Sequence, residues 1–131
     1  MSELYIAIEQ FEHQVDCFCP DADHVNILHF QKGDFIEVTS DRKYTFLGWY
    51  ALVVINGQQA FYMAIEDIEK YFRNEYISSQ LDIDLKIIYL QYKIDQDLEA
   101  GDRDSFVENS RKLSETCSLK EELEYYIAKA I

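Results

Sequence analysis

The chain has 131 residues, 48% of them hydrophobic and 28% charged, with one Pro and four Gly. That is enough for one ordinary domain or two very small ones with a packed core, and it excludes a disordered chain and a long flexible linker. The 25 acidic against 12 basic residues leave a formal charge of −13, which argues against direct binding to nucleic acid or an anionic membrane. Plain solubility and a partner with a basic face both fit that charge. No apolar run reaches the length of a bilayer, and no basic-then-apolar leader opens the chain, so a cytoplasmic protein is expected. Cys17, Cys19 and Cys117 are odd in number and irregular in spacing, which predicts free thiols rather than a disulfide framework.

In chain order, Ala7-Ile8-Glu9-Gln10-Phe11 predicts an opening strand. Residues 13–26 form a polar, irregular loop containing Asp16, Asp21 and Asp23. His13, Cys17, Cys19 and His24 in the same stretch are good zinc ligands by type. Cys-x-Cys is tighter than a zinc knuckle and no second pair follows, so no metal is expected. In the next stretch Leu28 and Phe30 alternate with His29 and Gln31. Lys32-Gly33-Asp34 breaks the chain, and Phe35-Ile36 resumes it as far as Val38. Gly tolerates positive φ there and Asp can bond its own backbone, so two strands flank a turn. Asp41-Arg42-Lys43 makes a polar turn, and Tyr44 to Leu47 lead into the strongest strand signal, residues 48–55. Asn56-Gly57 carries the signature of a type I′ hairpin, with residues 58–63 returning as its partner strand. Ile65, Ile68 and Phe72 then keep helical spacing.

Three of these pieces, Lys32-Gly33-Asp34, Gly48-Trp49-Tyr50 and Ala60-Phe61-Tyr62, stand in the order of a Src-homology-3 barrel, which this part of the chain resembles. The resemblance implies a five-stranded barrel in residues 1–74 that binds a protein partner. Its ligand surface would be Trp49 with Phe11, Tyr50 and Tyr62 around it, and Asp16, Asp21 and Asp23 at the edge. The family's Pro-x-x-Tyr is replaced by Tyr62-Met63-Ala64-Ile65, and Glu9 and Gln10 replace Tyr and Asp of the usual opening strand.

From residue 78 the period becomes helical. Ser79 is a plausible N-cap with Asp82 in the first turn, and Gly101 stops the helix after Ala100. Residues 81–100 carry two apolar rows: Leu81, Leu85, Ile88 and Tyr92, and Ile83, Ile87, Leu90, Ile94 and Leu98. Two rows predict burial on two sides, one within the helical unit and the other on the barrel or across a homodimer. Asp102 caps a second helix with Phe106, Val107, Ser110 and Leu113 inward, and Thr116-Cys117 is expected to break it. Ser118 and Glu121 form a capping box for a third helix carrying Leu119, Leu123, Tyr126 and Ile127. Ile94-Asp95-Gln96-Asp97-Leu98, Gly101-Asp102 and Phe106 resemble the IDEAL domain, a short helical motif of Gram-positive bacteria and their phages. That resemblance implies interaction only.

No Gly-rich phosphate loop, no Gly-x-Ser-x-Gly elbow and no supported Cys-His pair stands in the chain, so neither catalysis nor a cofactor is expected. The predicted fold is α+β: a barrel resembling Src-homology-3, then three helices in residues 75–131. The predicted function is non-enzymatic, a regulatory or adaptor module binding a protein with a basic surface. The alternative is an acidic inhibitor, such as a phage anti-defence or immunity protein, that covers a basic site by mimicking nucleic acid. A contiguous acidic face would favour the inhibitor, and an even scatter of carboxylates the adaptor.

Overall fold

The computed structural model describes residues 3–15 and 26–129. Asp16, Asp21, Asp23, Cys17, Cys19 and His24 lie outside them. Among the described residues the fold is α+β, with mostly antiparallel ladders and three helices, in two compact units, Met1–Ser78 and Ser79–Ile131.

The first unit runs β1 (Glu3–Ala7), β2 (Phe11–Val15), β3 (Asn26–Phe30), β4 (Phe35–Thr45), β5 (Gly48–Ile55), β6 (Gln59–Ala64), α1 (Ile65–Arg73) and, at its boundary, β7 (Ile77–Ser79). Five strands form one sheet in the order β6-β5-β4-β1-β7, and β2-β3 form a separate ladder. These ladders do not show a closed five-stranded barrel. Ala7 to Phe11 is not an opening strand. It is a corner between β1 and β2, held where Ile8 N–H donates to the Tyr76 carbonyl at 2.9 Å.

Lys32-Gly33-Asp34 likewise turns the chain out of the small ladder and into the large sheet, so β3 and β4 are not hairpin partners. Gly33 takes φ +96° in that turn. Asp34 accepts from Gln31 N–H at 2.8 Å and from Asn56 Nδ2 at 3.3 Å, while Asn56 Oδ1 accepts from Phe35 N–H at 2.8 Å. Two distant turns are therefore tied by two short polar side chains. Asn56 and Gly57 both have positive φ, 52° and 70°, the primed turn that matches strand twist.

One face of the large sheet buries Ala7, Ile36, Val38, Ala51, Val53 and Met63 in a core completed by the small ladder and α1. Phe11 stacks on Phe30 with ring centroids 4.6 Å apart. His13 reaches Tyr71 through a 2.6 Å hydrogen bond inside that core. The histidine is thus a satisfied core group, as a polar side chain must be once it leaves water.

The second unit is a helical hairpin of α2 (Gln80–Ala100) and α3 (Arg103–Lys129). Ser79 Oγ accepts from Asp82 N–H at 3.2 Å, and Gly101 ends α2 at φ +66°. Asp102 accepts from Ser105 N–H at 3.2 Å and starts α3. The break expected at Thr116-Cys117 does not occur. Thr116 donates its hydroxyl to the Lys112 carbonyl at 2.7 Å within the helix, so a residue of weak helix propensity is accommodated and α3 runs on through Ser118. The unit therefore has two helices, not three.

Asp97 is buried and accepts from Ser105 Oγ and Asn109 Nδ2, both at 2.8 Å. Lys120 of α3 pairs with Asp84 of α2 at 3.0 Å. Asp97 sits on the same side of α2 as buried Ile83 and Leu90. The other row, Leu81, Leu85, Ile88 and Tyr92, is exposed. So are Leu98, expected on the inward row, and Val107, expected on the inner face of α3. Among the described residues no helix is long and apolar enough to cross a membrane.

Candidate functional site

β4 and β5 extend beyond their neighbours. Among the described residues β1 pairs with β4 as far as Val38, and the β6 ladder reaches Tyr50. The last pairs, Tyr44↔Trp49 and Thr45↔Gly48, stand as a two-stranded hairpin end. A bulge separates it from the sheet, with Thr39, Ser40 and Asp41 inserted between the pairs Val38↔Val53 and Arg42↔Ala51. Thr39 Oγ1 closes the bulge by donating to the Leu52 carbonyl at 2.8 Å, and the Arg42 guanidinium donates to the Thr39 carbonyl. Bulges of this kind bend and twist a strand and re-aim the residues beyond them.

The tip is Phe46-Leu47, with Gly48 next at φ +117°. Thr45 Oγ1 accepts from Leu47 N–H at 3.1 Å and donates to the Gly48 carbonyl at 3.2 Å, so one hydroxyl shapes the turn. At this end four large apolar side chains meet water together. Phe46 is 90% exposed, Tyr44 70%, Trp49 55% and Leu47 54%. Tyr44 and Trp49 face each other across the ladder at 5.1 Å with an edge-on tilt of 60°, the arrangement that aligns a ring edge with a ring face. The pair is thereby held in a fixed geometry without being covered.

The residues expected to form a groove do not come together. Trp49 is exposed, but Phe11 and Tyr50 are buried, at 8% and 2% exposure, so neither can contact a partner. Side chains alternate along a strand, so Tyr50, and Tyr62 opposite Leu52, lie on the face away from Trp49. Tyr62 donates its hydroxyl to Asp41 Oδ2 at 3.1 Å, and Lys43 Nζ stands 5.5 Å from its ring centre. The hydrogen bond to the Asp41 carboxylate, with that carboxylate's negative charge, holds the Tyr62 phenol above its ordinary pKa.

The large side chains exposed beside Trp49 are instead Tyr44, Phe46 and Leu47. Their signal lay in the sequence as Tyr-Thr-Phe-Leu-Gly-Trp. A Gly two residues after an apolar residue, between two strands, puts that residue at a hairpin tip, where it cannot reach a core.

Elsewhere, a surface groove of about 240 Å³ is lined by Tyr5, Ile68, Glu69, Phe72 and Arg73. A second, of about 220 Å³, lies at the α2–α3 turn against Leu98, Gly101 and Phe106. The first contains no residue expected to bind, and the second is lined by Asp97, Leu98, Gly101, Asp102 and Phe106 of the run that resembles the IDEAL domain. Among the described residues no group of three or more His, Cys, Asp or Glu side chains is placed to hold a metal ion. No protein-family model, curated protein or solved structure matches the chain.

Proposed function

We propose that the protein is a non-enzymatic binding module whose contact surface is the β4–β5 hairpin end. The observation that carries this reading is the joint exposure of Tyr44, Phe46, Leu47 and Trp49 on a preformed turn. Aromatic anchors dominate binding energy because they bury a large area while fixing few torsions. Leaving four such side chains in water forfeits roughly 1.5–3 kcal/mol each, which a partner surface restores. The occupant is a protein with an apolar pocket in a basic surround, since a chain at −13 is steered toward positive charge and away from anionic lipid. The order Lys-Gly-Asp turn, Gly-Trp strand, aromatic strand supports the same role through its likeness to Src-homology-3 modules.

Carboxylates do not gather in one unit. Residues 1–78 hold 13 acidic against 5 basic residues and residues 79–131 hold 12 against 7, net −8 and −5. On α3, Glu108 and Glu115 are already paired with Arg111. Neither unit therefore holds most of the acidic charge.

The test is affinity capture with the parent chain, Phe46→Ser and Trp49→Ala as baits, each checked for an unchanged thermal melt. A protein held by the parent and lost by both variants is the expected outcome. Capture of the same set by all three baits contradicts the reading.

A further inference from the structure

The hairpin end carries a charge opposite to that of the molecule. Of the first unit's 13 acidic and 5 basic residues, one acidic (Asp41) and two basic (Arg42 and Lys43) fall within residues 39–64. Asp41 and Lys43 are already engaged with Tyr62, the first accepting from its hydroxyl at 3.1 Å and the second standing 5.5 Å from its ring centre. Arg42 is placed differently. Its Nη1 donates to the Thr39 carbonyl and, at 3.4 Å, to the Asp41 carbonyl, both within the bulge. Among the described residues nothing accepts from its Nε or Nη2, and no carboxylate pairs with the guanidinium. A planar fork anchored through one nitrogen holds its remaining N–H groups in a set direction. That is the form in which Arg takes a carboxylate through two parallel hydrogen bonds.

The ladder register puts this fork beside the exposed rings. Arg42↔Ala51 and Tyr44↔Trp49 are two apart in an unbroken run of pairs, and residues two apart on a strand share a face. Lys43 pairs with Tyr50 and takes the other face. One face of the hairpin end thus carries a guanidinium with a free edge and then the Tyr44–Trp49 pair, with Phe46 and Leu47 exposed at the tip beyond.

We propose that Arg42 sets the specificity of the hairpin end: the partner segment that covers Tyr44 and Trp49 carries, beside its apolar group, an Asp or Glu that pairs with Arg42. Arg42 has this role only if the hairpin end is the binding surface. The basic surround that suits a chain at −13 answers the carboxylates outside the hairpin, whereas the complement of the hairpin face itself is acidic. Exposed charges more than about 8 Å apart are largely screened at physiological salt, so the contact meets the local charge rather than the total. A nucleic-acid strand also offers an anion and a stacking base, but Leu47 has no ring to stack on and two cations displace few counterions.

Selection from a displayed library of random peptides tests this, with the full chain as bait and Phe46→Ser for counter-selection. Peptides that need Phe46 are expected to combine Asp or Glu with an aromatic or aliphatic residue. Re-selection on Arg42→Glu, checked for an unchanged melt, is expected to exchange the acidic residue for Lys or Arg, a swap that a merely structural role in the bulge cannot produce. If that variant melts lower, Arg42→Gln takes its place, and a selected peptide is titrated beside its form with the carboxylate changed to the amide. The peptide's charge is then expected to be worth about tenfold or more in affinity for the parent and less than about twofold for Arg42→Gln. Phe46-dependent peptides that lack an acidic residue, or an Arg42 variant with the parent's preference, overturn the role of Arg42 and leave the hairpin end as the surface. A library that yields no Phe46-dependent peptide overturns both. An oligothymidylate that binds the parent more tightly than the selected peptides, and is lost in Phe46→Ser, overturns the proposal in favour of nucleic acid.

Discussion

Trp49 is the residue on which the functional reading turns, and its surroundings separate binding from stability. Its ring meets Tyr44 edge-on and the side chain is more than half exposed, so Trp49→Ala is expected to cost about 1 kcal/mol or less in unfolding free energy and about 2 kcal/mol or more in partner binding. Urea denaturation beside a binding titration measures both, and a sharply lowered melt would make Trp49 a core residue. Gly48 behaves oppositely. A Cβ there meets nothing within 4 Å, so the cost of Gly48→Ala is backbone strain at φ +117°, about 1–2 kcal/mol, with the hairpin tip distorted as well. At Glu108, the hydrogen bond from Arg111 and its positive charge hold the carboxyl below its ordinary pKa. The folded-state pKa is depressed, so the small stabilisation is fully present above the unfolded carboxyl's pKa and is lost as pH falls through Glu108's own. A carbon-detected NMR titration should show Glu108 protonating at lower pH than free glutamate, with Arg111→Ala moving it back up.

Among the elements, α2 is where the sequence and the fold agree most closely. Ser79, Asp82 and Gly101 act through local chemistry, a hydroxyl on an amide and a left-handed stop, and such signals can be read without knowing the neighbours. The two apolar rows were legible for the same reason, but which of them α3 covers was not. Ile83, Ile87, Leu90 and Ile94 belong to the covered row and Ile88 to the open one. Ile87→Asp is thus expected to lower the thermal midpoint clearly, and Ile88→Asp to leave it in place. Comparing the two melts checks which row faces inward. The expected end at Thr116-Cys117 rested on weak helix formers. That penalty is only some tenths of a kcal/mol per residue, and the neighbouring Leu123 and Lys120–Asp84 contacts outweigh it. The sheet division was illegible for a different reason. Lys32-Gly33-Asp34 marks a turn, yet whether a turn joins hairpin partners or passes between ladders depends on pairings far away in the chain.

For the whole molecule, composition sets the net charge and says nothing of where a partner would bind. A charge of −13 spread over both units tunes encounter and solubility without marking a site. The proposed site rests on four exposed side chains at the hairpin end, a property of where the described ladders of β1 and β6 stop. The measurement that bears most directly on this is photo-crosslinking in the cell that makes the protein. A benzophenone side chain is placed at position 46, at the hairpin tip, and separately at position 107, exposed on α3. A discrete adduct with a second protein from position 46, absent from position 107, is the predicted result. No adduct from position 46, or the same adduct from both positions, would contradict the assignment of the hairpin end as the binding surface.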